Sequence, residues 1–372
     1  RPPRSTLFPY TTLFRSLISD FFSESNKIEV VGTARNGKDA LKKIELLKPD
    51  VLTLDVEMPE LNGLDTLKEI MEQHPMPVVM LSSTTDHGTR NTMIAMEYGA
   101  VDFVTKPGGT ISLDLHKVKD ELIHKVEMAS MVPVEKLSRY GRKRKPIHTK
   151  RETNSSFKLP EKKPKIIESK VSPSNIGWNK QAEKMVLIGT STGGPRALQE
   201  VITKLPKNIP APILIVQHMP AGFTKSLANR LDQISQVRVK EAEQGDLIEK
   251  GTAYIAPGGY HLKIQKNGAD FQIVLDNVAA PRAGHRPAVD VMFESASRYD
   301  DFDKLAVIMT GMGADGSKGL VALKNSGKVV AICESQETSI VYGMPKAAVE
   351  TNLVDEIVDV ELIAETIMKY LA

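Results

Sequence analysis

Cysteine is nearly absent from this 372-residue chain, where Cys333 stands alone. One thiol excludes an internal disulfide framework and is the usage expected of a reducing cytosol. No stretch approaches the ~18 consecutive apolar residues of a membrane span. The opening residues carry no signal-type apolar run either, because Pro2, Pro3, Pro9 and polar residues interrupt them. An excess of one charge is also missing: 49 Lys/Arg against 46 Asp/Glu leave +3, too even a balance for a nucleic-acid coat. The expectation is a cytoplasmic protein that neither inserts into membranes nor binds nucleic acid.

What is present supports a packed interior, since 41% of residues are hydrophobic and 26% charged. The length suits two domains plus connecting chain. Charge is unevenly spread: residues 136–170 hold 13 Lys/Arg against three Glu, with Pro146, Pro160 and Pro164 among them. Sparse, aperiodic apolar residues make this segment an extended, self-repelling linker.

Before the linker, strand candidates at 28–31, 51–54, 78–81 and 101–104 alternate with helical apolar spacing. After it come buried strand candidates at 185–188, 212–216, 305–309 and 329–332. An antiparallel hairpin is expected around Asn267-Gly268. Strands alternating with helices indicate parallel sheets covered on both faces. Two α/β domains follow from this.

In the first domain, Asp55, Ser82 and Lys106 each close a strand, so a carboxylate, a hydroxyl and an ammonium converge on one sheet edge. That trio suits an anionic group attached to Asp55 and contacted by the other two. Asp55-Val56-Glu57-Met58-Pro59 with Gly63, Ser82 and Thr105-Lys106-Pro107 resembles the receiver domain of bacterial response regulators. The resemblance implies that Asp55 accepts phosphate, Ser82 is the switch hydroxyl and Lys106 contacts the phosphate. It also implies Mg2+ held by Asp55 and by the backbone carbonyl of Glu57, together with an acidic pair at the end of the first strand. No Asp or Glu occurs before Asp20, and 17–22 already reads as the middle of the first helix. Residues 1–16, where Thr6-Leu7-Phe8 recurs as Thr12-Leu13-Phe14, read as a foreign or artefactual segment that leaves the first strand missing. A receiver so truncated is expected to cover a partner domain poorly.

In the second domain, a strand runs into Gly189-Thr190-Ser191-Thr192-Gly193 and then a helix. This is the nucleophile-elbow pattern, which exposes the serine hydroxyl at a sharp turn. His218 and Asp315 follow two other parallel strands, so one sheet edge can assemble nucleophile, base and orienting acid. A rival reading uses the same loop: Gly311, Gly313 and Gly316 satisfy Gly-x-Gly-x-x-Gly, with Glu334 placed for a ribose. That would make a dinucleotide-binding module or dehydrogenase.

The order of parts, with Gln217-His218-Met219-Pro220, Ala256-Pro257-Gly258-Gly259, His285 to Asp290, Thr310 to Gly316 and Tyr342 to Pro345, resembles the chemotaxis protein-glutamate methylesterases. The resemblance implies a flavodoxin-like receiver at 17–130, a basic linker at 131–180 and a doubly wound parallel-sheet hydrolase domain with a β-hairpin insert at 181–372. It implies Ser191, His218 and Asp315 as the triad, the Met312 amide in the oxyanion hole, and no cofactor for catalysis. Methylated chemotaxis receptors would be the substrate, with glutamine deamidation as a second activity, and a chemotaxis histidine kinase the phosphodonor. His285 and Arg286 could line the substrate groove or be surface loop residues. Phosphate uptake from a small phosphodonor should be far slower here than in a chain with a restored first strand and acidic pair; equal rates measured side by side would overturn this reading.

Overall fold

In the computed structural model, residues 4–8, 12–106, 114–141, 165–169, 178 and 182–371 are described. The first sheet contains β1 (Arg4–Phe8), β2 (Glu29–Thr33), β3 (Val51–Asp55), β4 (Val78–Ser82) and β5 (Asp102–Thr105). All are parallel, in the order β2-β1-β3-β4-β5. The helices are α1 (Thr12–Ser23), α2 (Gly37–Leu47), α3 (Gly63–Gln73), α4 (Asp86–Tyr98) and α5 (Asp114–Ser130). Every residue of β3 and β4 is buried, as expected of parallel strands covered on both faces. Local chemistry starts the helices: Asn36, Asn62 and Thr85 accept the amides of Asp39, Asp65 and Gly88.

One expectation is corrected here. The first strand is not missing, because Arg4–Phe8 pairs with β2 on one side and β3 on the other. An interior slot between two strands offers two rows of backbone partners, and backbone pairing does not depend on an acidic sequence. The low-complexity look of the segment concealed this.

The linker reading also needs adjustment. Its start forms α6 (Val134–Gly141) and its later part forms β6 (Ile166–Ser169); 142–164 and 170–177 lie outside the described residues. Buried Leu137 anchors α6, and Lys136 Nζ donates to the carbonyls of Gln336 and Ser339 at 2.6 Å each.

The second sheet has the order β6-β15-β14-β13-β7-β8-β10-β9. Its strands are β7 (Lys184–Thr190), β8 (Ile213–Gln217), β9 (Arg238–Glu241), β10 (Thr252–Ile255), β13 (Asp303–Ile308), β14 (Val329–Glu334) and β15 (Glu356–Val358), parallel except for β6 at the edge. The sequence reading missed the short strands β6, β9, β10 and β15. The hairpin β11 (His261–Asn267) and β12 (Asp270–Asp276) turns at Gly268-Ala269, one residue later than expected. Helices α7 (Gly194–Ile202), α8 (Phe223–Ile234), α9 (Val289–Ala296), α10 (Ser317–Asn325), α11 (Met344–Glu350) and α12 (Val360–Leu371) complete the layers. From β7 the chain winds one way through β8, and β13 starts the winding the other way. The switch point, where such sheets place ligands, is therefore at the end of β7.

The two sheets are not independent bodies. Phe103 of β5 stacks on Phe223 of α8, centroids 4.6 Å apart. Arg230 of α8 forks onto Glu97 of α4 at 2.5 and 2.9 Å. Ser226 bonds Thr89 at 2.8 Å, and Thr192, beside Ser191, donates to Asp102 Oδ2 at 2.6 Å. Lys125 steadies Asp102 from behind at 3.1 Å.

A buried carboxylate ends β14. Glu334, 1% exposed, accepts from the Thr310 amide at 2.7 Å and the Thr338 hydroxyl at 3.0 Å. Burial pushes its carboxyl up to about 7, against the two hydrogen bonds. A carboxyl raised in the folded state binds a proton that the unfolded chain releases, so stability falls as pH rises through that value. Glu334→Gln should melt higher than the unsubstituted protein at about pH 8 and alike at about pH 4. Calorimetry at both pH values checks this, and an unchanged difference between them would refute it.

Candidate active site

The nucleophile turn is built from backbone constraints. All of β7 is buried, and Ser191 follows it directly, itself 9% exposed. Gly193 sits at φ 77°, which favours glycine, and a Cβ on Gly194 would lie 2.0 Å from Gln217 Oε1. The Ser191 amide donates to Thr310 O at 3.0 Å and the Ser191 carbonyl accepts from Gly194 N at 2.7 Å. These bonds close the turn and aim the hydroxyl outward.

His218, just past β8, lies between the other two candidates. Its Nδ1 is 3.1 Å from Ser191 Oγ, and its Nε2 is 2.8 Å from Asp315 Oδ2. Asp315 Oδ2 also accepts from Val289 N at 2.7 Å, while Oδ1 accepts from Asp290 N at 2.8 Å and Gly316 N at 3.0 Å. Burial alone would raise the Asp315 carboxyl, but the His218 bond and charge and the amides hold it below the usual carboxylate range. An ionised Asp315 can only accept, so the proton belongs on Nε2 and the Nδ1 lone pair faces Ser191. Serine, imidazole and carboxylate thus form a connected relay suited to nucleophilic attack on an acyl carbon.

Three neighbours had no settled role in the sequence. Gln217 Nε2 donates to the carbonyls of Ser191 and His218 at 3.0 and 3.1 Å, tying the two residues together. His285 stacks on His218, centroids 3.9 Å apart and rings 7° from parallel. Burial and then the His218 charge hold the His285 imidazole down at about 4, so it is neutral near pH 7. Arg286 donates to the carbonyls of Asn277 and Ala279 at 2.7 and 3.0 Å, which ties down its own loop. Gln217 was legible only as a residue beside His218; its side-chain reach depends on the turn.

The Gly311–Gly316 loop passes against the nucleophile: a Cβ on Gly311 would be 2.8 Å from Ser191 Cβ. Half-buried Met312 follows. The dinucleotide reading of this loop does not survive. The amides of Gly316 and Gly319 that would meet a pyrophosphate donate to Asp290 Oδ1 at 2.9 and 2.7 Å. A phosphate there would meet two carboxylates, and Glu334, the expected ribose acid, is buried and bonded to Thr310 and Thr338.

At the first sheet's edge, Asp55 is 1% exposed, and its Oδ2 accepts from Lys106 Nζ at 2.6 Å and its Oδ1 from Glu57 N at 3.0 Å. Ser82 is turned into α4, donating to Gly88 O at 3.2 Å and accepting from Thr92 at 2.6 Å. Pro107 lies outside the described residues. For a magnesium ion the fit is poor: both oxygens of Asp55 are already engaged, by Lys106 Nζ and the Glu57 amide, and among the described residues no acidic pair stands beside them to share the ion. Among the described residues no group of three or more His, Cys, Asp or Glu is placed to hold a metal.

Comparison with known proteins adds identity to this geometry. The family model described as CheB methylesterase matches residues 186–367, and the response regulator receiver domain model matches residues 11–116. A protein-glutamate methylesterase/protein-glutamine glutaminase of Geobacillus kaustophilus is 52% identical over 359 residues, covering 96% of each chain. Its counterpart in Bacillus subtilis is 49% identical, covering 96% of this chain and 95% of its own. The crystal structure of the Thermotoga maritima CheB methylesterase catalytic domain covers 50% of this chain and 98% of its own, at 44% identity and TM-score 0.49. With relatives this similar over nearly their full length, the chain belongs to the protein-glutamate methylesterase/protein-glutamine glutaminase family, a response-regulator receiver followed by a methylesterase domain.

Proposed function

We propose that the chain removes methyl esters from glutamate side chains of chemotaxis receptors and deamidates receptor glutamines, with Ser191 as nucleophile. The observation that carries this is His218 bridging Ser191 and Asp315 at 3.1 and 2.8 Å. His218 takes the hydroxyl proton through Nδ1 as Ser191 Oγ attacks the ester carbon. Asp315 stabilises the imidazolium that forms. The developing oxyanion is met by the Met312 amide and the positive dipole end of α7, since the amides of Ser191 and Gly194 are already bonded to the carbonyls of Thr310 and Ser191. The imidazolium gives its proton to the leaving methoxy oxygen, or to the amide nitrogen, which departs as methanol or ammonia. Water then enters with His218 as base, and the acyl-enzyme breaks down to a glutamate and free Ser191. No cofactor takes part in these steps.

In this reading, residues 17–130 form the receiver, with residues 1–16 supplying its first strand. Residues 131–180, which include α6 and the edge strand β6, connect it to the catalytic domain at 181–372. The protein works in the cytoplasm; among the described residues no helix is long and apolar enough to cross a membrane. A chemotaxis histidine kinase is the phosphodonor and Asp55 the acceptor. The missing acidic pair makes magnesium-assisted transfer slow in this sequence. The docked receiver reverses the expectation of poor coverage: Asp102 holds Thr192 next to the nucleophile, and α4 lies on α8. A phosphoryl group on Asp55 would draw Ser82 out of its bonds to Gly88 and Thr92. That loosens α4, whose Thr89 and Glu97 hold α8.

Ser191→Ala should abolish methanol release from methylated receptors, a loss of many orders of magnitude; retained release would refute the nucleophile. Arg230→Glu places like charge against Glu97 and should raise unstimulated methanol release severalfold in the same assay. Unchanged basal release would argue against this contact as a brake.

A further inference from the structure

We propose that Asp290 is a positioning residue for the triad, holding Asp315 in place through a reciprocal exchange of helix caps between α9 and α10. The inference rests on the Ser191 hydrolase reading. Every helix begins with amides that have no partner in the helix itself. Helices α2, α3 and α4 of the receiver solve this with a local Asn or Thr, but the residue preceding α9 is Ala288 and that preceding α10 is Gly316, and neither offers a side-chain cap. Each is capped by the acid of the other. Asp315, just before α10, accepts from Val289 N and Asp290 N at the start of α9, at 2.7 and 2.8 Å. Asp290, in the first turn of α9, accepts from Gly316 N and Gly319 N at 2.9 and 2.7 Å.

The exchange needs the two helix starts in contact. A Cβ on Gly319 would lie 2.9 Å from Asp290 Cα, so the close approach depends on glycine there. Asp290 and Asp315 are 4% and 5% exposed. Two buried carboxyls this close are tolerable because two helix N-termini point at them. Both amides of α10 fall on one oxygen, Oδ1, so an acceptor oxygen at that place is what α10 requires; burial and the Asp315 charge push the Asp290 carboxyl up. Gly316 N is shared, 2.9 Å from Asp290 and 3.0 Å from Asp315. Without Asp290, the amides of α10 fall to Asp315 alone and draw its carboxylate from His218 Nε2.

The experiment uses the full-length chain and two readouts. One is the downfield proton resonance of the His218 N–H donated to Asp315, identified by its absence in Asp315→Ala. The other is methanol release from vesicles carrying methylated receptor. Asp290→Ala should lose the resonance and lower kcat about 100-fold with KM unchanged, the signature of a misplaced catalytic group. Asp290→Asn keeps the acceptor oxygen and should restore both. If Asp290→Ala does not fold, Asp290→Glu, with the carboxylate carried too far, should reproduce the loss in a folded protein. A normal resonance and kcat in Asp290→Ala or Asp290→Glu would overturn the proposal, as would an Asp290→Asn no better than alanine. If the unsubstituted chain releases no methanol, the substrate reading fails, while the resonance still decides the role of Asp290.

Discussion

The carboxylate of Asp315 is the point on which the catalytic half depends. It accepts from His218, Val289, Asp290 and Gly316, and so joins the end of β8, the start of α9 and the start of α10. A buried carboxylate persists only where donors surround it. Here the donors are also the parts that the proposed triad has to align: His218, and the loop that passes in front of Ser191. Stability and catalytic geometry are met by one set of bonds. Its depressed pKa follows from those donors and keeps it an acceptor near neutral pH.

A second constraint comes from the other domain. The face of the receiver made by α4 and β5 lies against α7 and α8, so the contact reaches Thr192, the residue after Ser191. The contacts are of several kinds: an aromatic stack, a forked ion pair and two hydroxyl bonds. Ion pairs at a partly exposed rim contribute little alone and set orientation more than affinity. The Phe103–Phe223 stack supplies the dry centre. The bond nearest Ser191 comes from Asp102 of β5, while Thr89 and Glu97 of α4 hold α8.

Much of this is legible in the amino-acid sequence. The eight parallel strands at 29–33, 51–55, 78–82, 102–105, 184–190, 213–217, 303–308 and 329–334 show as apolar runs, and several residues at their ends stand out as site candidates. Arg4–Phe8 is not legible, because its assignment rests on a vacancy between β2 and β3 that no local pattern reveals. Short strands such as β9 and β15 escape for a similar reason: three or four residues carry too little periodicity, and their neighbours define them. The Gly311–Gly316 loop reads equally well as a dinucleotide fingerprint; Asp290 on the amides of Gly316 and Gly319 decides against it.

By itself the sequence determined the two α/β halves, the sharp turn at Ser191 and the chemical types of Asp55, Lys106, His218 and Asp315, since strand periodicity, glycine placement and residue chemistry are local properties. Only the tertiary structure decided which nitrogen of His218 faces Ser191, which acid caps which helix, and that Asp102 reaches Thr192 across the domain boundary. Those outcomes depend on distances between residues from 25 to 97 positions apart in the chain. No local rule contains such distances; they exist once the sheets close and buried polar groups must find partners.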